Sequence, residues 1–198
     1  MANNKVKYNL KNAHYAMLTV DEEGTVSYAS PVALPGAVSI SLDANGEPEN
    51  FYADGVAYYV INNNMGYDGD LELAMIPEDF RVSALNETLD DKKVLIENAN
   101  TELNPFALLF EFDGDVKHIR HVLYNCSASR PGIEGKTNEE NREVQTETLS
   151  IKATPLASGV VKAKTGDSTD AAVYADWYKA VYMPSIAETG SGTDQAGV

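Results

Sequence analysis

Cysteine is almost missing from this sequence: one residue in 198, Cys126. A lone thiol excludes an internal disulfide framework and any zinc site built from several thiolates. Histidine is scarce too, with only His14, His118 and His121. Positive charge is in short supply: 15 Lys and Arg stand against 30 Asp and Glu, a formal −15 at pH 7. Affinity for polyanions comes from cations that neutralise phosphate, so this composition disfavours gripping nucleic acid or an anionic membrane. Long apolar runs are also missing. The strongest windows, residues 56–61 and 106–110, are strand-sized and far below the roughly 20 residues that span a bilayer. The opening MANNKVKYNL has no apolar run behind a basic stretch, so the expectation is a protein without a secretory signal, folded in a cytoplasm.

What the sequence does hold is enough apolar material for one core. Hydrophobic residues make up 43% of it and charged residues 23%, a balance that excludes wholesale disorder. A chain of this length buries roughly 70% of its unfolded surface, so a core needs no covalent staples. Most of the patterning has period two. Residues 13–20 (AHYAMLTV) read as a strand, turned by Glu22-Glu23-Gly24 into a short one at 25–29. In 37–42 (AVSISL), Val38, Ile40 and Leu42 share one face, with Ser39 and Ser41 on the other. Asn45-Gly46 is a tight-turn dipeptide, and 56–62 (VAYYVIN) reads as strand again. Phe51 and Tyr52 lie in the otherwise turn-rich stretch 43–55, which suits a projecting hairpin. Further strands are expected at 71–76, 106–112, 117–127 and 143–153, with a weaker one at 160–164 and a turn at Asp113-Gly114-Asp115.

Two stretches change period. Pro77-Glu78-Asp79 opens a short helix with Phe80, Ala84 and Leu85 on one face. Near the end, Ser168-Thr169-Asp170 offers an N-cap for a longer helix over 171–182. Val173, Trp177 and Val181 form its apolar stripe, a face broad enough to require docking on a sheet, with packing inside the same chain favoured over an interface role. The expected fold is mainly β (α+β): a β-sandwich or barrel with a flanking C-terminal helix and one short helix. Residues 1–186 make a single domain, followed by a small, polar, disordered tail at 187–198.

Chemistry is hard to find. His118 and His121 are three apart in a strand-like run, hence on opposite faces, and cannot share a metal. Cys126 falls on the same side as Val122 and Tyr124 and reads as a small buried side chain. There is no G-x-S-x-G elbow and no phosphate loop. Tyr67-Asp68-Gly69-Asp70-Leu71-Glu72 is the best acidic cluster: if extended, Asp68, Asp70 and Glu72 point to one side. It lacks the ligand spacing of a calcium loop. No catalytic residue, cofactor or metal ligand is therefore expected, and the protein is not read as an enzyme. With 11 Tyr against 5 Phe, protein-surface contact is the better expectation.

A set of segments in fixed order adds a family likeness. KNAHYA at 11–16, VALPGAVSISL at 32–42, FYADGVAYY at 51–59, GYDGDLELAMIP at 66–77 and PFALLFEFDG at 105–114 come first. RHVLYNCSASRP at 120–131, QTETLSIKATP at 145–155, VKAKTGD at 161–167 and the helix around Trp177–Tyr182 follow. Over roughly residues 5–184 the chain resembles the major tail proteins that form the tail tube of long, non-contractile-tailed bacteriophages. The resemblance implies a β-sandwich-like subunit related to the tube protein of type VI secretion. Such subunits close six at a time into rings that stack into the conduit for the genome. It implies a virion location after synthesis in the host cytoplasm, and partners such as the tape measure, tail terminator and distal tail proteins. DNA would pass through the lumen without specific binding, and no membrane is involved. On this reading Asp68, Asp70 and Glu72 are candidate lumen-facing acids, and Asn45, Gly46, Phe51 and Tyr52 belong to a candidate inter-subunit arm. The alternatives are a monomeric β-sandwich virion decoration or ligand-binding module, and a hydrolase with an unfamiliar site.

Overall fold

The computed structural model describes residues 3–137 and 143–185. The expected tail at 187–198 lies outside the described residues. In chain order the strands are β1 (Lys7–Val20), β2 (Val26–Tyr28), β3 (Val32–Ala33), β4 (Ala37–Asn45), β5 (Glu49–Ala53), β6 (Val56–Ile61) and β7 (Gly66–Leu73). Helix α1 (Glu78–Ser83) follows, then β8 (Thr88–Leu89), β9 (Leu95–Ile96), β10 (Phe106–Gly114), β11 (Ile119–Ala128), β12 (Glu147–Thr154), β13 (Lys162–Lys164) and α2 (Ala171–Asp176). The main sheet is antiparallel, in the order β2-β1-β10-β11-β12-β7-β4, with β3 on β1 and β13 on β11.

This sheet is rolled. β4 comes beside β1 without ladder bonds between them, and just ahead of β4 the backbone link from Leu34 N to Ala13 O at 2.8 Å ties the chain to β1. The inside of the roll holds the larger core: Tyr15, Leu71, Leu73, Phe106, Leu108, Leu123, Leu149 and Ile151, with Phe80 inserted from α1 and Ala84 and Leu85 from the residues just after it. Phe80 meets Tyr15 and Phe106 edge-on, at 4.9 and 5.3 Å between centroids. A second cluster lies on the outer face, where the C-terminal segment covers Ala16, Ala107, Leu109, Val122 and Tyr124. β10 is thus covered on both faces, which is why FALLF is a continuous apolar run and does not alternate. The mainly β architecture is what the period-two patterning calls for.

Several boundaries differ from expectation for local reasons. β7 starts at Gly66, five residues earlier than the apolar run suggests, and pairs with β12 on one side and β4 on the other. At Gly69 the β4 backbone passes so close that a Cβ would run into the carbonyl oxygen of Ser41, so only glycine fits there. Val38 is the extra residue in a bulge between Ala37 and Ser39; it leaves the inward face, while Ile40 and Leu42 keep it. A bulge in β11 has a larger effect. Phe106 faces Cys126 but Leu108 faces Leu123, so β11 carries one extra residue. Cys126 therefore joins Leu123 in the inner core, on the opposite side from Val122 and Tyr124, and not with them as strict alternation predicts.

The C-terminal helix is also shorter than expected. Asp170 caps it, accepting from the backbone of Ala172 at 2.8 Å and Val173 at 3.3 Å. The helix ends at Asp176, half-way through the predicted 171–182. The sheet takes one of its carbonyls, Arg120 donating to Tyr174 O, and holds the segment after it, where the Tyr124 hydroxyl donates to Tyr182 O at 2.7 Å.

Candidate assembly surfaces

The stretch between β4 and β7 is the most unusual part of the molecule. Asn45 and Gly66 are cross-strand partners, so residues 46–65 leave the sheet and return to it at one point. The excursion is a separate two-stranded hairpin of β5 and β6, every residue of which is exposed except Ala53. Its turn is Asp54-Gly55, with φ values of 52° and 78°, the paired positive angles of a tight hairpin turn. Asn45-Gly46 is therefore not a turn. Asn45 ends β4, its amide donating to Asp68 Oδ2 at 2.6 Å, and Gly46 starts the excursion at φ 105° against the Asn63 carbonyl. The six residues of β6 form the expected strand, and all of them lie in solvent.

The hairpin is apolar on both sides. Phe51 pairs with Tyr59, and alternation places Ile61 on that same face. Tyr52 pairs with Ala57, and Val60 shares that second face with Asn50. Phe51, Tyr52, Tyr58 and Tyr59 are 56, 65, 72 and 64% exposed. An isolated two-stranded hairpin is marginal in water, and contiguous exposed aromatics of this kind mark an interaction surface. Phe51 and Tyr52 lie in this exposed hairpin, and Tyr58, Tyr59 and Ile61 lie in it with them.

Asp68, Asp70 and Glu72 share the outer face of β7, opposite the buried Leu71 and Leu73. Ser39, Ser41 and Asp43 of β4 flank them on one side, and Thr148, Ser150 and Lys152 of β12 on the other. Hydroxyls hold two of the three carboxylates in place. Glu72 accepts from Thr146 at 2.7 Å and Ser39 at 2.8 Å, and Asp70 from Ser150 at 2.8 Å. Those bonds, Thr146 first, hold the Glu72 carboxyl below its ordinary pKa. Lys152 is the one cation in these three rows, 4.0 Å from Asp68. The result is a polar, net-negative sheet face.

Val173, Trp177 and Val181 all meet in the outer cluster, with Trp177 2% exposed. Beside them is a polar cluster that patterning missed. Glu111 is 2% exposed and lies 3.0 Å from Arg120; it accepts from Asn12 at 2.6 Å and from the Tyr178 hydroxyl at 3.2 Å. The Arg120 guanidinium stacks 3.9 Å from the Tyr174 ring. The cluster clamps the C-terminal segment to the sheet. Its one sequence signal is Glu111 inside an apolar run.

The histidines lie apart. His118 contacts Asp113 at 2.7 Å, and His121 stacks on Phe110 at 5.1 Å. Among the described residues, no three His, Cys, Asp or Glu side chains gather in a metal-holding group. Cys126 is fully buried, and burial pushes its thiol up to about 12.

No family model matches the chain, and no curated protein matches it. A solved structure described as "Structure of a type six secretion system protein" is similar over 78% of this chain and 91% of its own length. The identity is 13% and the TM-score 0.37. A likeness of that size settles neither fold nor function.

Proposed function

We propose that this chain is a structural, non-enzymatic subunit that assembles with copies of itself into rings, and that the rings stack into a phage tail tube. The observation that carries the reading is the arm at residues 46–65, a hairpin with aromatic residues on both faces and no cover within its own chain. Such a segment is stable and soluble in use only when a partner buries it. The ordered family likeness along the sequence names the kind of assembly.

The tube reading gives the acidic face a role. Six copies would carry roughly −90, six times the formal −15 of one chain, screened over a Debye length of about 8 Å. A lumen lined by Asp68, Asp70 and Glu72, the first held by the Asn45 amide and the other two by hydroxyls, would repel the DNA backbone and offer it no trapping site. Expected partners are other tail proteins, and the expected place of work is the virion. Sedimentation velocity over a concentration series tests the first step. Species much larger than a monomer are expected to grow with concentration, whereas a single 21.5 kDa monomer throughout would contradict the reading.

A further inference from the structure

The arm shows what must be covered; the end of the rolled sheet shows what could cover it. Next to the arm's root, the interior of the roll opens in a mouth lined by Ile40, Leu42, Tyr67, Phe110, Phe112 and His121. The opening exists because two strands share one edge of β11. β12 pairs with residues 125–128 and β13 with residues 121–123, leaving a gap between β13 and β7. The rim is basic. Lys162 Nζ sits 4.2 Å from the Tyr67 ring centroid and Lys7 Nζ 4.7 Å from that of Phe112. Lys164 faces His121 across the β11–β13 pair. His121 is pushed down to about 4, by burial first and then by Lys7, Lys164 and Lys162, so at neutral pH it adds no charge to the mouth.

In a chain of net −15, an aromatic opening with three lysines around it is the exception. The arm is its complement. Residues 46–65 contain Glu47, Glu49 and Asp54, no Lys, Arg or His, and the exposed Phe51, Tyr52, Tyr58 and Tyr59. Within one chain the two do not meet, because the hairpin is exposed on both faces.

We infer that the lysine-rimmed mouth formed by Lys7, Tyr67, Phe112 and Lys162 is the receiving site for the acidic, aromatic arm of a second copy of this chain. The inference rests on the arm reading above and adds where the arm goes. Aromatic side chains cover Phe110 and Phe112, and the arm's carboxylates meet the rim lysines. Each arm–mouth contact leaves a free mouth on one copy and a free arm on the other. The contact is head-to-tail and propagates, closing into a ring only at the right rotation per subunit.

Cysteine trapping tests it, because the native thiol is buried and unreactive. Asp54→Cys, at the arm tip, is mixed under mild oxidation with a mass-tagged Lys162→Cys chain. Glu23→Cys, at the opposite end of β1, replaces Lys162→Cys in the control mixture. Sedimentation is run on the same samples. At least tenfold more heterodimer with Lys162→Cys than with Glu23→Cys is expected. Association without that excess overturns the receiving site and leaves the assembly reading standing. Monomers with no heterodimer overturn both. An intrachain bond in the dilute Asp54→Cys/Lys162→Cys double variant, with no interchain product, means that the arm closes its own mouth and also overturns the inference. As a second arm, Lys7→Glu with Lys162→Glu is expected to weaken self-association at least tenfold with unchanged melting. Glu47→Lys with Glu49→Lys should restore it; no weakening, or weakening without restoration, counts against the pairing.

Discussion

Both carboxylate oxygens of Glu72 are held, one by Thr146 and one by Ser39, so its ionised form is favoured in the folded chain. A carboxyl lowered by folding contributes stability above the unfolded-state pKa and loses it as pH falls through the folded value. The Glu72 carboxyl, followed by NMR, is therefore expected to titrate below the usual glutamate range. It should move back up in a Ser39→Ala/Thr146→Val variant; an unchanged midpoint would contradict the assignment. Gly69 gives a steric prediction of the same grain. Its missing Cβ leaves room for the Ser41 carbonyl, so Gly69→Ala should lower unfolding free energy by about 1–3 kcal/mol in urea. Stability equal to wild type would mean that β4 and β7 are further apart than described. Cys126 was legible as buried, but its side of the sheet was not. The bulge that turns it inward depends on β11 pairing with a strand that ends 12 residues before it, and alternation within one strand carries no record of that.

At the scale of elements, the readable parts were those whose pattern is set by their own chain. The strand over residues 106–112, the helix opened by Pro77 and the Asp170 cap all follow from local chemistry. What could not be read depended on cover supplied from elsewhere. VAYYVI has the composition of a buried strand, and nothing in it says that its cover is missing from the same chain. Within the helix at 171, the Tyr174 carbonyl accepts from Arg120, on a strand some fifty residues away in sequence, and the helix stops at Asp176. The acidic row was legible as sharing one side, since a period of two needs only an extended chain, but its hydroxyl neighbours come from β4 and β12. Two expectations follow. Arg120→Met leaves Glu111 buried without its cation and should cost about 3–5 kcal/mol, read by denaturant unfolding. Phe51→Ser with Tyr52→Ser touches residues outside the core, so folding stability should stay within about 0.5 kcal/mol while assembly is lost. Equal loss of both would return these residues to the core.

Across the whole molecule, one side and one end are left bare in different ways. The outer face of β1, β10 and β11 is covered by the C-terminal segment; that of β12, β7 and β4 is polar, acidic and uncovered by the described residues. The arm root and the basic mouth share one end. A subunit built in this way has a face suited to a solvent-filled passage, an arm that needs cover and a place that could give it. The central claim is assembly, and negative-stain electron microscopy of the concentrated protein at moderate salt tests it most directly. Rings, or stacked tubes with an open centre, are the expected result, absent in the Phe51→Ser/Tyr52→Ser variant. A field of small, separate particles at every concentration would contradict the account and favour a monomeric binding module.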